Sequence, residues 1–115
     1  MEDILVIDDD KNVLWLMDEF LTRRGYTVRT AGNGIEAIRL FDENHRFRLV
    51  ITDIRMPGVD GNQIAEYLKG NEEMKNIPII GISGYPEDAE RELFDSILTK
   101  PFSFKDLTAM VESLS

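Results

Sequence analysis

The chain has 115 residues, of which 43% are hydrophobic and 30% charged, and its formal net charge is −9 at pH 7. This length predicts one domain over residues 1–115, and the composition is typical of a soluble globular protein. No apolar run approaches the ~20 residues that span a bilayer, and no signal peptide begins the sequence, so we expect a cytoplasmic protein without membrane contact. The acidic charge argues against direct binding to nucleic acid, which requires a basic face.

Metal-binding side chains are restricted to oxygen donors. The sequence has no cysteine and one histidine, His45, so thiolate sites and histidine clusters are excluded. Oxygen ligands favour Mg²⁺ or Ca²⁺. His45 lies in a polar stretch between charged residues, and we interpret it as a surface loop residue with no catalytic role.

The amino-terminal stretch predicts a strand that ends in acid. Residues 4–7 form a continuous apolar run, as buried parallel strands do. Three aspartates follow it: Asp8, Asp9 and Asp10. Apolar residues at three- and four-residue spacing predict a helix over 11–24 with Asp10 as its N-cap. One aspartate would be enough for capping, and a pair of like charges 4 Å apart costs roughly 1 kcal/mol in water, so Asp8 and Asp9 predict a bound cation.

The middle of the chain repeats the order of strand and helix. Strands are predicted over three segments: 27–31, which suits a sheet edge, 49–53 and 77–82. The second and third helices begin at capping-box spacings, from Asn33 to Glu36 and from Asp60 to Gln63.

The last third predicts a short helix, a strand and a final helix. Pro86 would begin the short helix, with Ala89 and Leu93 towards the core, because proline in a first turn costs no hydrogen bond. Residues 96–99 predict a fifth strand before Lys100, and an amphipathic helix follows. Alternating strands and helices predict an α/β fold, a doubly wound parallel sheet with helices on both faces.

Polar side chains end four of the predicted strands, and parallel strands end at one edge of a sheet. The set comprises Asp8, Asp9, Asp53, Ser83 and Lys100. Open α/β sheets bind ligands at that edge. Three carboxylates suit Mg²⁺, and a carboxylate can act as the nucleophile that forms an aspartyl-phosphate. Lys100 and Ser83 offer a charge and a hydroxyl to phosphate oxygens. Together the residues indicate phosphoryl transfer, which needs mainly positioning and charge stabilisation.

Asp53 is the best-placed nucleophile, because Pro57 and Gly58 stiffen the loop that follows it. Ser83 alone could be a turn residue and Lys100 alone a solvated charge, so the hypothesis depends on the set.

The whole chain resembles the receiver domain of two-component response regulators. The matching motifs are the acidic pair Asp8 and Asp9, the segment DIRMPGVDG that begins at Asp53, the hydroxyl of Ser83, and Lys100 followed by Pro101 and Phe102. The resemblance implies strand order 2-1-3-4-5. It also implies Mg²⁺ held by the acidic pair, Asp53 and the backbone carbonyl of Arg55, and a cis Lys100–Pro101 bond.

The resemblance implies a phosphorelay receiver. A histidine kinase or phosphotransfer protein would donate a phosphoryl group to Asp53, and binding to a downstream protein that the sequence does not identify would change. Such a domain catalyses only its own phosphorylation and dephosphorylation, and we expect a monomer or weak homodimer. Because the chain ends with its final helix, we expect no output domain within it. It would then be either a stand-alone receiver or a receiver cut from a longer protein.

Two alternative functions are open, an enzyme and a binding module. A small Mg²⁺-dependent phosphohydrolase would also use an aspartate nucleophile, but commonly has a second acid two residues later, where Arg55 stands. A flavin-binding module would have a phosphate loop rich in Ser, Thr and Gly, whereas residues 8–12 would repel phosphate.

The sequence departs from the family near its end. Ile97 occupies a position where the family usually has an aromatic residue, and the segment 83–100 is short. We therefore predict that phosphorylation is signalled through the loop 83–86 and the helix after it. Tyr85 is the candidate reporter, and the alternative is that it only covers the mouth of the pocket.

Overall fold

A computed structural model describes residues 3–43 and 46–115, and His45 lies outside them. Five strands are present: β1 (Asp3–Ile7), β2 (Val28–Ala31), β3 (Phe47–Asp53), β4 (Ile79–Ser83) and β5 (Ser96–Thr99). Four α-helices accompany them: α1 (Lys11–Arg23), α2 (Gly34–Asp42), α3 (Gly61–Lys69) and α4 (Phe104–Leu114). Among the described residues, no helix has the length and apolar character needed to cross a membrane.

The strands form one parallel sheet in the order β2-β1-β3-β4-β5. This confirms the predicted fold class and strand order. The central strand β3 begins at Phe47, two residues before the prediction, because Phe47 is itself buried. Since β1 and β3 lie in the interior of the sheet, their continuous apolar runs are buried on both faces.

Alternate strand residues contribute to two hydrophobic cores, one on each face of the sheet. Leu5 and Ile7 of β1 pack with α2 and α3, whereas Ile4 and Val6 pack with α1 and α4. This alternation follows from the two-residue period of a strand. Helices therefore cover both faces, as predicted.

The predicted caps fix where the helices begin. The Asp10 side chain accepts from two backbone N–H groups in the first turn of α1, at 2.9 and 3.4 Å. Asp60 and Gln63 form a reciprocal capping box at α3. At α2 only half of the predicted capping box forms. The Asn33 side chain accepts from the Glu36 N–H, but the Glu36 carboxylate accepts from the Gly32 N–H and not from the Asn33 N–H.

The prediction of one short helix that begins at Pro86 is wrong. The connection from β4 to β5 instead contains two 3₁₀ turns, Pro86–Asp88 and Arg91–Leu93. The Asn62 side chain of α3 donates to the Asp88 carbonyl at 2.7 Å and accepts from the Glu90 N–H at 2.9 Å. These bonds divert backbone groups from helical pairing. Leu93 still packs against the core, as predicted, and Phe94 joins it.

Candidate functional site

The predicted polar residues lie at the carboxyl-terminal edge of the sheet. Asp53 and Ser83 end β3 and β4, whereas Asp8 and Lys100 directly follow β1 and β5. Carboxylate oxygens of Asp8, Asp9 and Asp53 all lie within 4.8 Å of one another. The Lys100 Nζ atom lies 3.3 Å from Asp53 Oδ1. An acidic cluster with the Lys100 ammonium beside it therefore forms at this edge.

Burial governs the protonation of two of these carboxylates. Asp8 is 3% exposed and Asp53 is 7% exposed. Burial raises the pKa of Asp8 to about 6, although the Asp10 N–H donates to its Oδ1 at 2.9 Å and opposes the shift. Burial also raises the pKa of Asp53, against the attraction and hydrogen bond of Lys100. The negative charge in this cluster is therefore unfavourable without a further cation.

The loop after Asp53 is fixed by packing as well as by turn residues. Ile54 and Met56 are buried, and Gly58 has φ +76°, a conformation that favours glycine. Gly61 packs so closely that a Cβ atom there would lie 2.5 Å from the Asp53 carbonyl oxygen. Its N–H donates to the Ile54 carbonyl at 2.9 Å. The prediction named Pro57 and Gly58 for this loop and missed the buried side chains.

The Ser83 hydroxyl is bonded within its own loop. Its Oγ atom donates to the Tyr85 carbonyl and accepts from the Tyr85 N–H, both at 2.9 Å. The Ser83 carbonyl accepts from the Lys100 N–H, also at 2.9 Å. Ser83 thus lies at the predicted edge, and its hydroxyl proton is directed to Tyr85 rather than to Asp53.

Arg55 makes a side-chain contact that the sequence did not predict. Its Nε atom lies 2.6 Å from Asp88 Oδ2, and its guanidinium lies over the Tyr85 ring, 4.4 Å from the ring centroid. Arg55 and Asp88 are 33 residues apart, and no motif joins them. The Lys100–Pro101 bond is cis, as the resemblance implied.

The comparisons with known proteins agree with this geometry. The family model for the response regulator receiver domain matches residues 4–112, and the chain belongs to this family. It is 32% identical to the transcriptional regulatory protein CpxR homolog of Haemophilus influenzae, over 99% of this chain and 50% of that protein. It is 36% identical to the probable transcriptional regulator ycf27 of Cyanophora paradoxa, over 96% of this chain and 47% of that protein.

A solved structure gives the same result for the fold. The response regulator TrrA from Thermotoga maritima, described as a complex with Mg²⁺ and BeF, superposes with a TM-score of 0.89. The identity is 35%, and all of both chains is covered.

The chain is a receiver domain of two-component signal transduction. The chain spans about half the length of the curated relatives that it matches. Because those relatives are described as transcriptional regulators, they give no support to the predicted absence of contact with nucleic acid.

Proposed function

We propose that the protein is a phosphorylation switch, in which Asp53 accepts a phosphoryl group from a histidine kinase or phosphotransfer protein. The observation that carries this proposal is the position of the Asp53 carboxylate, among the oxygens of Asp8 and Asp9 and 3.3 Å from Lys100 Nζ. The modified domain then binds a downstream protein differently. We place it in the cytoplasm, as a monomer or weak homodimer.

The donor set fits Mg²⁺. The carboxylates of Asp8, Asp9 and Asp53 are the hard oxygen ligands that this ion takes, and we assign the Arg55 backbone carbonyl as a fourth. The raised pKa values of Asp8 and Asp53 support a cation requirement, because both reflect charge that is costly to bury. When bound, Mg²⁺ supplies charge neutralisation for the phosphoryl oxygens.

Asp53, Lys100 and Ser83 would divide the chemistry among them. An Asp53 carboxylate oxygen forms a bond to phosphorus while the bond from phosphorus to the donor nitrogen breaks, which gives an acyl phosphate. The Lys100 ammonium, now paired with Asp53 Oδ1, stabilises charge on a phosphoryl oxygen. Ser83 donates to a second oxygen once its hydroxyl leaves the Tyr85 carbonyl.

A phosphohydrolase fits the site less well. Such an enzyme would need an acid two residues after Asp53, and Arg55 there is a permanent cation that pairs with Asp88. A flavin phosphate would meet the carboxylates of Asp8 and Asp9 at the same edge. Turnover of p-nitrophenyl phosphate would favour the first alternative, and a yellow purified protein the second.

The experiment that tests the proposal uses acetyl phosphate as a small donor. With Mg²⁺ present, intact-mass measurement should show one phosphoryl group per chain, removed by mild base as acyl phosphates are. Asp53→Asn should abolish the modification, whereas Glu112→Gln, the same charge loss at an exposed position of α4, should not. Equal phosphorylation of the Asp53→Asn variant would show that the acceptor lies elsewhere.

A further inference from the structure

The turn after β4 is held by side chains from the loop after β3 and from α3. The Asp88 carboxylate pairs with Arg55 Nε at 2.6 Å, and the Arg55 guanidinium lies over the Tyr85 ring. The Asn62 side chain also donates to the Asp88 carbonyl at 2.7 Å. We refer to Arg55, Tyr85 and Asp88 together as the clasp.

The clasp is connected to Ser83 through one carbonyl group. The Tyr85 carbonyl accepts both the Ser83 hydroxyl and the Asp88 N–H, each at 2.9 Å. Both lone pairs of this oxygen are therefore occupied. The Arg55 guanidinium therefore contacts the ring of the same residue whose backbone carbonyl accepts the Ser83 hydroxyl.

We propose that the clasp restrains Ser83 in the unmodified protein, so that Asp88 is a positioning residue that opposes phosphoryl binding at Asp53. This inference rests on the proposed function. To donate to a phosphoryl oxygen, the Ser83 hydroxyl must leave the Tyr85 carbonyl, and any shift of Tyr85 changes its contact with Arg55. Phosphorylation and an intact clasp therefore compete for the position of one turn.

The contacts of the clasp are weak, so they can shift an equilibrium but cannot prevent activation. The side chains of Arg55 and Asp88 are 66% and 30% exposed, so water and salt screen their attraction. An exposed ion pair corresponds to a change in an equilibrium constant of up to about fivefold, and an exposed cation–π contact to a change of about two- to fivefold. A phosphoryl group could overcome a restraint of this size.

The test measures affinity for beryllofluoride, a mimic of the aspartyl-phosphate, at saturating Mg²⁺ by amide NMR titration. Asp88→Asn removes the ion pair and should bind beryllofluoride about two- to fivefold more tightly than the wild type. Glu87→Gln is the matched control, because it removes the same charge from the same 3₁₀ turn and should leave the affinity unchanged. Mg²⁺ affinity without beryllofluoride should be equal in Asp88→Asn and the wild type, which separates the clasp from general electrostatics.

A double-mutant cycle tests whether Asp88 acts through Arg55. Arg55→Gln should also tighten beryllofluoride binding, and adding Asp88→Asn to it should give no further gain. If the wild type binds beryllofluoride and Asp88→Asn binds it no more tightly, the clasp proposal is overturned and the proposed function is not. A gain of equal size in Glu87→Gln would also overturn it. A wild type that binds no beryllofluoride with Mg²⁺ would overturn the proposed function, and the clasp with it.

Discussion

Lys100 Nζ lies 3.3 Å from Asp53 Oδ1, at a point where only 9% of the Asp53 side chain is exposed. This single ion pair does not compensate for the desolvation of Asp53, because the pKa of Asp53 remains raised by burial. We therefore expect the acidic cluster to lower the stability of the metal-free protein.

Removing one charge from the cluster should stabilise the metal-free protein. In chelator-treated buffer, Asp53→Asn should raise the Tm by a few degrees, because a neutral amide avoids the cost of burying a charge, a gain of about 1 kcal/mol. Added Mg²⁺ should then stabilise the variant less than the wild type. Thermal melts with and without Mg²⁺ measure both effects, and Glu112→Gln should change neither. An unchanged response to Mg²⁺ would mean that the ion does not bind Asp53.

The raised pKa of Asp8 predicts a dependence of stability on pH. The folded-state pKa is about 6, against 3.8 for an unperturbed aspartate, so the folded chain takes up this proton first as pH falls. Asp8 should therefore add stability as pH falls from about 6 to 4, by at most about 1.4 kcal/mol per pH unit.

Comparison with Asp8→Asn isolates this effect from other carboxyl groups. Urea unfolding of metal-free protein at several pH values should show the wild type gaining on the variant as pH decreases. Parallel curves for the two proteins would contradict the shift. Mg²⁺ affinity of the wild type should also weaken below pH 6, because protonated Asp8 is a poor ligand.

Gly61 should be required for the position of Asp53. A Cβ atom at residue 61 would lie 2.5 Å from the Asp53 carbonyl oxygen and 2.8 Å from Ile54 Cα, both backbone atoms. Gly61→Ala should cost about 1–3 kcal/mol in unfolding free energy and slow phosphorylation by acetyl phosphate. Gly32→Ala is the control, since its nearest contact would be 3.7 Å from the flexible Glu36 carboxylate. Equal effects of the two substitutions would rule out this steric role.

Activation should be signalled through the turn after β4 rather than through β5. With Mg²⁺ and beryllofluoride, the amide resonances of residues 84–89 should shift more than those around Ile97. Ile97→Tyr should leave the partner affinity of the activated state little changed. Ile97 is half-buried and pairs in register with Gly81. Larger shifts at Ile97 and its strand neighbours, beyond those caused by ligand contact, would favour a switch centred on β5.

Most of the sheet could be predicted from the sequence, because strands that are buried on both faces of a parallel sheet consist of continuous apolar runs. The caps Asp10 and Asp60 were equally readable, since each depends on residues within one helical turn. The carboxylate cluster followed from topology, because parallel strands bring their ends to one edge. These features depend on local pattern or on strand order alone.

The β4–β5 connection could not be read in the same way. Pro86 followed by Ala89 and Leu93 has the pattern of a short helix, but the Asn62 side chain of α3 binds backbone groups that such a helix would use. The pairing of Arg55 with Asp88 and Tyr85 likewise joins segments that no local pattern relates. Tertiary contacts determine both the β4–β5 connection and the contacts of Arg55, and local propensity and motif spacing carry no information about such contacts.

The short last strand has a consequence for how the sheet opens. Only Leu98 is buried among the four residues of β5, whereas all but one residue of β1 and all but one residue of β3 are buried. Local opening requires least free energy where few apolar groups become exposed. Amide hydrogens of β5 should therefore exchange with solvent well before those of β1 and β3. Asp53 is thus built on the slowly exchanging centre of the sheet, whereas Lys100 follows an edge strand that opens before it.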